Sequence, residues 1–457
     1  MTGRRTVGAV DNIWLRLDRP ANLMVIDSVL WLDEPLDVER FRAVVQQRIV
    51  DRFPVFHQRI APPRFPMLAP QWEDDPDFDL DDHLSVVVLP EPAGEAELKR
   101  YVETRMQVPL DRDHALWELQ VVAAYDGGSA LVCRFHHAIA DGIALAQVLL
   151  SLTDEEPDGD LGVSTDEPPV TSGWTLSIPG AGAARSLLSD ATRLARPSVV
   201  RDAVTLVAQT THIADKLLLG SNPPGPLLGE PGLAKRAVWS RPHPLSQIKR
   251  IGRASDATVN DVLVAAVAGA LSSYVSDEGG RPADLTTMVP VNLRPVDKPL
   301  PRELGNKFAL AMLSMPIGER SPRARLAAAK QRMDRIKESP EALITFGLIN
   351  AIGLTHPRIE DLLVDFFSSK AIGVTTNVMG PLQDRYLAGS RIAGVLGWVP
   401  GSGRQTVGVC IFSYNQTVRV GFKVDATVVP DADRLVDAFD AELDDLVAIA
   451  TRAPQGP

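Results

Sequence analysis

The chain has 457 residues, 45% of them apolar and 23% charged, with a formal net charge of -11. That length exceeds what one hydrophobic core holds and predicts two domains. The acidic balance excludes a phosphate-neutralising face and so nucleic acid as a partner, and two cysteines without CxxC spacing, Cys133 and Cys410, exclude a disulfide or thiolate-metal framework.

In chain order, the first residues lack the apolar core of a signal peptide. No uninterrupted apolar run reaches the roughly 18 residues that a membrane-crossing helix needs. The expectation is a cytoplasmic protein, peripheral at most on a membrane surface. Residues 23–32 read as a strand. Residues 38–51 have helical spacing, with Phe41, Val44, Val45 and Ile49 on one stripe. A second strand is expected over 116–124. A third follows the turn signal Asp126-Gly127-Gly128 and runs into His136-His137-Ala138-Ile139-Ala140-Asp141-Gly142, an HHxxxDG heptapeptide. Residues 143–150 read as the next helix.

Residues 154–169 are acidic and rich in Pro and Gly, which marks a solvated loop. Helical stretches over 182–219 carry Arg185, Arg193, Arg196 and Arg201, a solvated face or a contact for anionic headgroups or phosphates. Asn222-Pro223-Pro224-Gly225-Pro226 is a break. This predicts an N-terminal domain over 1–154, a linker with helices over 155–235 and a C-terminal domain over 236–457. In the second half, 258–275 reads as a helix with Thr258 as N-cap and Asp261 in its first turn. Its run of Ala and Gly predicts a close neighbour. Strands are expected over 285–291, 371–378, 406–413 and 418–428, the last two joined as a hairpin across residues 414–417. Strands and helices mixed in both halves make the fold α/β or α+β.

On a strand, alternation puts His137 with Leu131, Cys133 and Phe135 on the apolar face, and His136 with Val132 and Arg134 on the other. Three readings compete. A metal site lacks further ligands and needs two imidazoles that alternation points apart. A structural reading takes the pair as satisfied histidines capping a strand. A catalytic reading makes a buried neutral imidazole the base that removes a hydroxyl proton, a task suited to an ordinary pKa of about 6.5. Gly142 fits a turn that needs backbone freedom or closeness. Asp141 opens the next element, where a carboxylate is placed to hold the turn by pairing with a cation from the other domain.

Motifs elsewhere in the chain add to this. Asp11-Asn12-Ile13-Trp14-Leu15, the segment from Trp72 to Leu84, Ala115-Leu116-Trp117, Asn260-Asp261, Met288-Val289-Pro290-Val291-Asn292-Leu293-Arg294, Thr376-Asn377-Val378-Met379-Gly380-Pro381 and Ser413-Tyr414-Asn415 occur in order along the chain. With HHxxxDG, the set resembles the bacterial wax ester synthase/acyl-CoA:diacylglycerol acyltransferase family, within the CoA-dependent acyltransferases that share HHxxxDG. Two positions depart from its pattern: Ala115 stands in place of a proline, and Gln416 follows Ser413-Tyr414-Asn415 in place of a glycine better suited to positive φ.

The resemblance implies a two-lobed, chloramphenicol-acetyltransferase-like fold with a central tunnel. His137 would be the base, with His136, Asp141 and Gly142 of the same motif in the catalytic set. Acyl-CoA would be co-substrate and a lipid alcohol the acceptor, diacylglycerol or a long-chain alcohol, with no cofactor and no metal. Neutral-lipid substrates imply peripheral contact with a membrane or lipid droplet. Asn260 and Asp261 match the family's ND motif, with Asn260 tying its helix to the lobe interface, Arg294 would pair with Asp141, and Asn377 is a tunnel-lining donor or a turn residue before Gly380-Pro381; these four are the candidates for substrate binding or structural support. Trp14 and Trp72 read as packing residues. Two other functions stay open: a related acyltransferase using another hydroxyl or an amine, and a silent lipid-binding relative.

Overall fold

The computed structural model describes residues 4–63, 69–159, 171–172, 222–293, 299–338, 345 and 369–452. Its first sheet is built on β1 (Val25–Leu32), β2 (Leu84–Val88), β3 (Trp117–Tyr125) and β4 (Gly128–His136). Every residue of β1 and of β4 is buried, so both read as continuous apolar runs with few polar breaks. The charged breaks, Asp27 and Arg134, are paired. Arg134 Nε lies 3.2 Å from Asp27 Oδ1, Arg134 Nη1 lies 3.1 Å from Glu118, and Lys423 Nζ reaches Asp27 Oδ2 at 3.0 Å from the second half of the chain.

Around this sheet lie α1 (Ala9–Leu17), α2 (Val38–Val45), α3 (Glu95–Arg105) and α4 (Gly142–Ser151). The helical spacing over 38–51 is met by α2 and a wider π turn over Gln46–Val50. Asp37 caps α2, its carboxylate accepting the Arg40 N–H.

The second sheet contains β6 (Lys235–Trp239), β9 (Thr375–Met379), β12 (Val407–Tyr414) and β13 (Thr417–Asp425), in the order β6-β13-β12-β9. A two-stranded unit, β7 (Leu285–Asn292) with β8 (Phe308–Met315), touches the strand edge at Met288 and Val374. Over this lobe pack α5 (Leu245–Ala254), α6 (Val259–Asp277), α7 (Pro322–Glu338) and α8 (Asp433–Arg452). The Ala-rich stripe of α6 admits α7 and α8 at close range, the neighbour that its small residues predict. Thr258 and Asp261 form a reciprocal capping box at its start. By length and hydropathy α6 matches a membrane-crossing helix, but 72% of it is buried inside the fold, where it serves as a core helix.

Chain order does not separate the sheets completely. β10 (Tyr386–Leu387) and β11 (Ser390–Trp398) leave the second lobe and complete the first sheet, whose order is β2-β3-β4-β1-β11-β10-β5, with β5 at Thr153–Asp154. β11 pairs with β1 from Ile392 opposite Leu32 to Trp398 opposite Asp27. Most of 155–235, including the four arginines noted above, lies outside the described residues.

The hairpin joining β12 and β13 turns at Asn415 and Gln416, with φ of 43° and 60°. Both lie in the left-handed region, where a side chain costs about 1–2 kcal/mol and glycine does not. Gln416→Gly should therefore raise stability by roughly 0.5 kcal/mol after the glycine's own entropy cost. A higher melting midpoint with unchanged activity is the expected readout; a lower midpoint would contradict it.

Candidate active site

α1 presents Asp11 and Trp14, three residues apart, on one helical face, and Asp18 follows as its C-cap. That face meets the end of β4. The turn after β4 is fixed by the main chain: His137 N–H donates to Met24 O at 2.8 Å, and Ile139 N–H donates to His136 O at 3.0 Å.

Both imidazoles are buried, which corrects the expectation that alternation turns His136 away from the core. β4 is an interior strand, covered on both faces, so burial does not distinguish them. Their partners do. His136 Nδ1 accepts the Ala138 N–H at 3.0 Å, so that nitrogen carries no proton. Nε2 faces Asp18 Oδ2 at 3.5 Å. Burial holds the His136 pKa down against the pull of Asp18. For Asp18 itself burial acts upward, but His136, the Met24 N–H and Arg112 outweigh it and bring the carboxyl to about 2. His136 is a neutral brace inside the turn.

The His137 ring stacks on Trp14, centroids 4.0 Å apart and planes 17° apart, with Phe308 at 6.2 Å on another side. Nδ1 is the fully enclosed nitrogen. Burial pushes the His137 pKa down to about 4, against its own backbone carbonyl, the Asp141 carboxylate and Asn306. At neutral pH the imidazole is an unprotonated base in a dry setting.

The second lobe grips this turn through 305–307. Asn306 Nδ2 donates to His137 O at 2.8 Å and to Asp11 Oδ1 at 2.8 Å, and its backbone N–H donates to the same Asp11 oxygen at 2.9 Å. Gly305 before it has φ of 155°, and a Cβ there would come within 3.2 Å of Asp11 Oδ2. Burial raises the Asp11 pKa above the ordinary carboxylate range, and the Asn306 bonds oppose it.

Asp141 is the N-cap of α4: Oδ1 accepts the Ala144 N–H at 3.0 Å, and Oδ2 accepts the Lys307 N–H at 3.0 Å. The carboxylate thus holds the turn to the other lobe through a backbone amide. The expected partner Arg294 lies outside the described residues. Removing this double acceptor in Asp141→Ala should cost roughly 1–3 kcal/mol, one cap plus one partly buried N–H left without its acceptor. Thermal melting checks it, and an unchanged midpoint would count against it.

Gly142 is the first residue of α4 with no positive φ, and a Cβ there would meet only Ile26 Cδ1 at 4.0 Å. Backbone freedom is therefore not why glycine fits here. It leaves space on the wall of a narrow apolar cavity of about 50 Å³, shared with Ile26, Leu145, Leu149 and Val378.

Asn260 and Asn377 form a separate cluster in the second lobe. Asn377 is buried within β9, which removes the turn reading, and its Nδ2 donates to Asn260 Oδ1. Both line a cavity of about 570 Å³. Asp261, fully buried, serves the start of α6 through the Thr258 N–H. Trp14, Asp11, Asp18 and Asn306 are the site residues that sequence reasoning missed. The spacing at 11, 14 and 18 was the available signal for three of them. Trp72, by contrast, is a buried core residue as expected. Among the described residues, no group of three or more His, Cys, Asp or Glu side chains is placed to hold a metal.

A buried neutral imidazole between two lobes, aimed by both, is equipped for proton abstraction. Among solved structures, the wax ester synthase/diacylglycerol acyltransferase from Marinobacter aquaeolei VT8 matches with a TM-score of 0.70 at 21% identity, over 98% of this chain and all of that one. The first condensation domain of the calcium-dependent antibiotic synthetase matches at 0.61 and 16%, over 99% of this chain and 97% of its own. These two likenesses show the two-lobed fold. A Mycobacterium tuberculosis H37Rv protein with the provisional name diacylglycerol O-acyltransferase Rv3087 is 30% identical across 99% of both chains. Residues 7–263 match the wax ester synthase/diacylglycerol acyltransferase catalytic domain and residues 304–447 the WS/DGAT C-terminal domain, and the chain belongs to that family.

Proposed function

We propose that this protein transfers a long-chain acyl group from acyl-CoA to the hydroxyl of diacylglycerol, and to long-chain alcohols, with His137 as the general base. The observation that carries the reading is the neutral, desolvated His137 ring at the meeting point of the lobes. In the step, Nε2 takes the hydroxyl proton while the alcohol oxygen forms a bond to the thioester carbonyl carbon. The C–S bond then breaks, and the proton passes from Nε2 to the CoA thiolate, leaving ester and free CoA. No acyl-enzyme is needed. Holding both substrates near attack distance supplies part of the rate enhancement. Neutral-lipid substrates favour work at a membrane or lipid-droplet surface.

The test supplies the purified protein with labelled palmitoyl-CoA and, separately, diolein, hexadecanol and a polar acceptor. Labelled triacylglycerol or wax ester supports the reading. Release of CoA without neutral-lipid product moves the activity to another acceptor, and no turnover with any acceptor overturns it.

A further inference from the structure

A neutral imidazole carries its proton on Nδ1 or on Nε2, and only the form with Nδ1 protonated leaves Nε2 free to act as a base. Which form is present is set by what the other nitrogen meets. In His137 the enclosed Nδ1 has no hydrogen-bond partner among the described residues. Its own carbonyl and the Asn306 amide lie beside the ring.

The Asn306 amide has a donor end and an acceptor end, and its neighbours decide which way each faces. Nδ2 donates to Asp11 Oδ1 and to His137 O, both at 2.8 Å. A carboxylate and a carbonyl only accept, so a turned amide would set oxygen against oxygen at both contacts. Oδ1 is therefore held on the opposite side, where it is enclosed and has no partner among the described residues. An acceptor and a donor, both enclosed and both unmatched, thus sit on two residues already joined by a hydrogen bond.

Asp11 is built in firmly enough to hold that amide. It is buried in the first turn of α1, and its Oδ1 also takes the Asn306 backbone N–H at 2.9 Å. Glycines leave room on two sides of its Oδ2: a Cβ on Gly8 would come within 2.6 Å of it and one on Gly305 within 3.2 Å.

We infer that Asn306, locked by Asp11, sets the tautomer of His137: Oδ1 accepts the Nδ1 proton and leaves Nε2 as the base. This rests on the acyl transfer proposed above. Asn306 and Asp11 act through His137 and are positioning residues. The Nδ1 proton stays in place throughout the step. Nε2 takes the hydroxyl proton and later gives it to the CoA thiolate. In between, the positive ring faces an amide oxygen polarised by the carboxylate at the amide's other end.

The test reads the ring directly by nitrogen NMR on the full chain, with its histidine imidazoles labelled. The His137 signals are those missing from His137→Gln. At neutral pH the wild type should show a protonated Nδ1 and a bare Nε2. Asn306→Ser keeps a hydroxyl able to donate and loses Oδ1, and Asp11→Leu keeps the bulk and loses the lock. Each should show both nitrogens averaged between the two forms. In each, kcat should fall about tenfold, the worth of one hydrogen bond that favours the competent form, with the KM for palmitoyl-CoA and for hexadecanol unchanged. A wild-type ring with its proton on Nε2, or averaged between the nitrogens, overturns the inference, as do wild-type signals from either folded variant. A chain with Nδ1 protonated that transfers no acyl group to any acceptor would instead sink the proposed function and leave the tautomer assignment standing.

Discussion

His137→Gln should lower acyl transfer by about 10²–10⁴-fold, the usual contribution of a positioned general base, with a melting midpoint close to that of the wild type. Glutamine keeps much of the volume stacked on Trp14 and has no basic nitrogen. His136→Ala should give the opposite pattern. It removes the acceptor of the buried Ala138 N–H and opens a void in a packed turn, costing roughly 2–4 kcal/mol of stability. Its specific activity per folded molecule should fall far less. Transfer rates and melting curves on the two variants separate a base from a brace. Wild-type activity in His137→Gln would remove the base assignment.

The second large effect concerns pH. His137 sits near a pKa of about 4 because burial penalises its charged form. The acid limb of kcat/KM in the wild type should therefore lie near pH 4, with full activity above it. Trp14→Ala uncovers one face of the ring, lets water in and moves the pKa up toward the unperturbed value of about 6.5. The acid limb should shift upward by one to two pH units, roughly, while Trp14→Phe keeps it near the wild-type position. The sign for stability follows from linkage. The unfolded chain takes up the imidazole proton below about pH 6.5 and the folded chain resists until about pH 4, so stability falls as pH drops across that window. An acid limb at the same pH in wild type and Trp14→Ala would show that the indole does not desolvate the base.

The sequence made legible what is written in local periodicity and in contiguous motifs. The Thr258 cap with Asp261, the small-residue stripe of α6 and the hairpin across 414–417 are each set by neighbours a few residues apart, and each stands in the structure within a residue or two of its expected place. The HHxxxDG run likewise marked where the buried imidazole pair sits between the lobes. The clamp around it was not legible. Asp11, His137 and Asn306 come from segments more than a hundred residues apart, and nothing local in Gly305-Asn306-Lys307 marks it as the partner of a distant turn. Alternation misled at His136 because it assumes one wet face, and β4 has none. The strand exchange at 386–398 escaped for the same reason as the clamp: an apolar run does not say which of two sheets it joins.

That exchange constrains how the protein is made. Residues 25–136 leave the ribosome long before 390–398, and until β11 arrives one flank of β1 remains an open row of backbone donors and acceptors. Such a row invites pairing with another chain. The nascent first half thus carries an exposed strand edge, and cutting the gene between the lobes should yield a sticky fragment instead of an autonomous module. Once β11 is seated, the lobes are stitched by a sheet, and wide opening as two rigid shells would require tearing that seam. Substrates must therefore thread into the finished molecule from its surface.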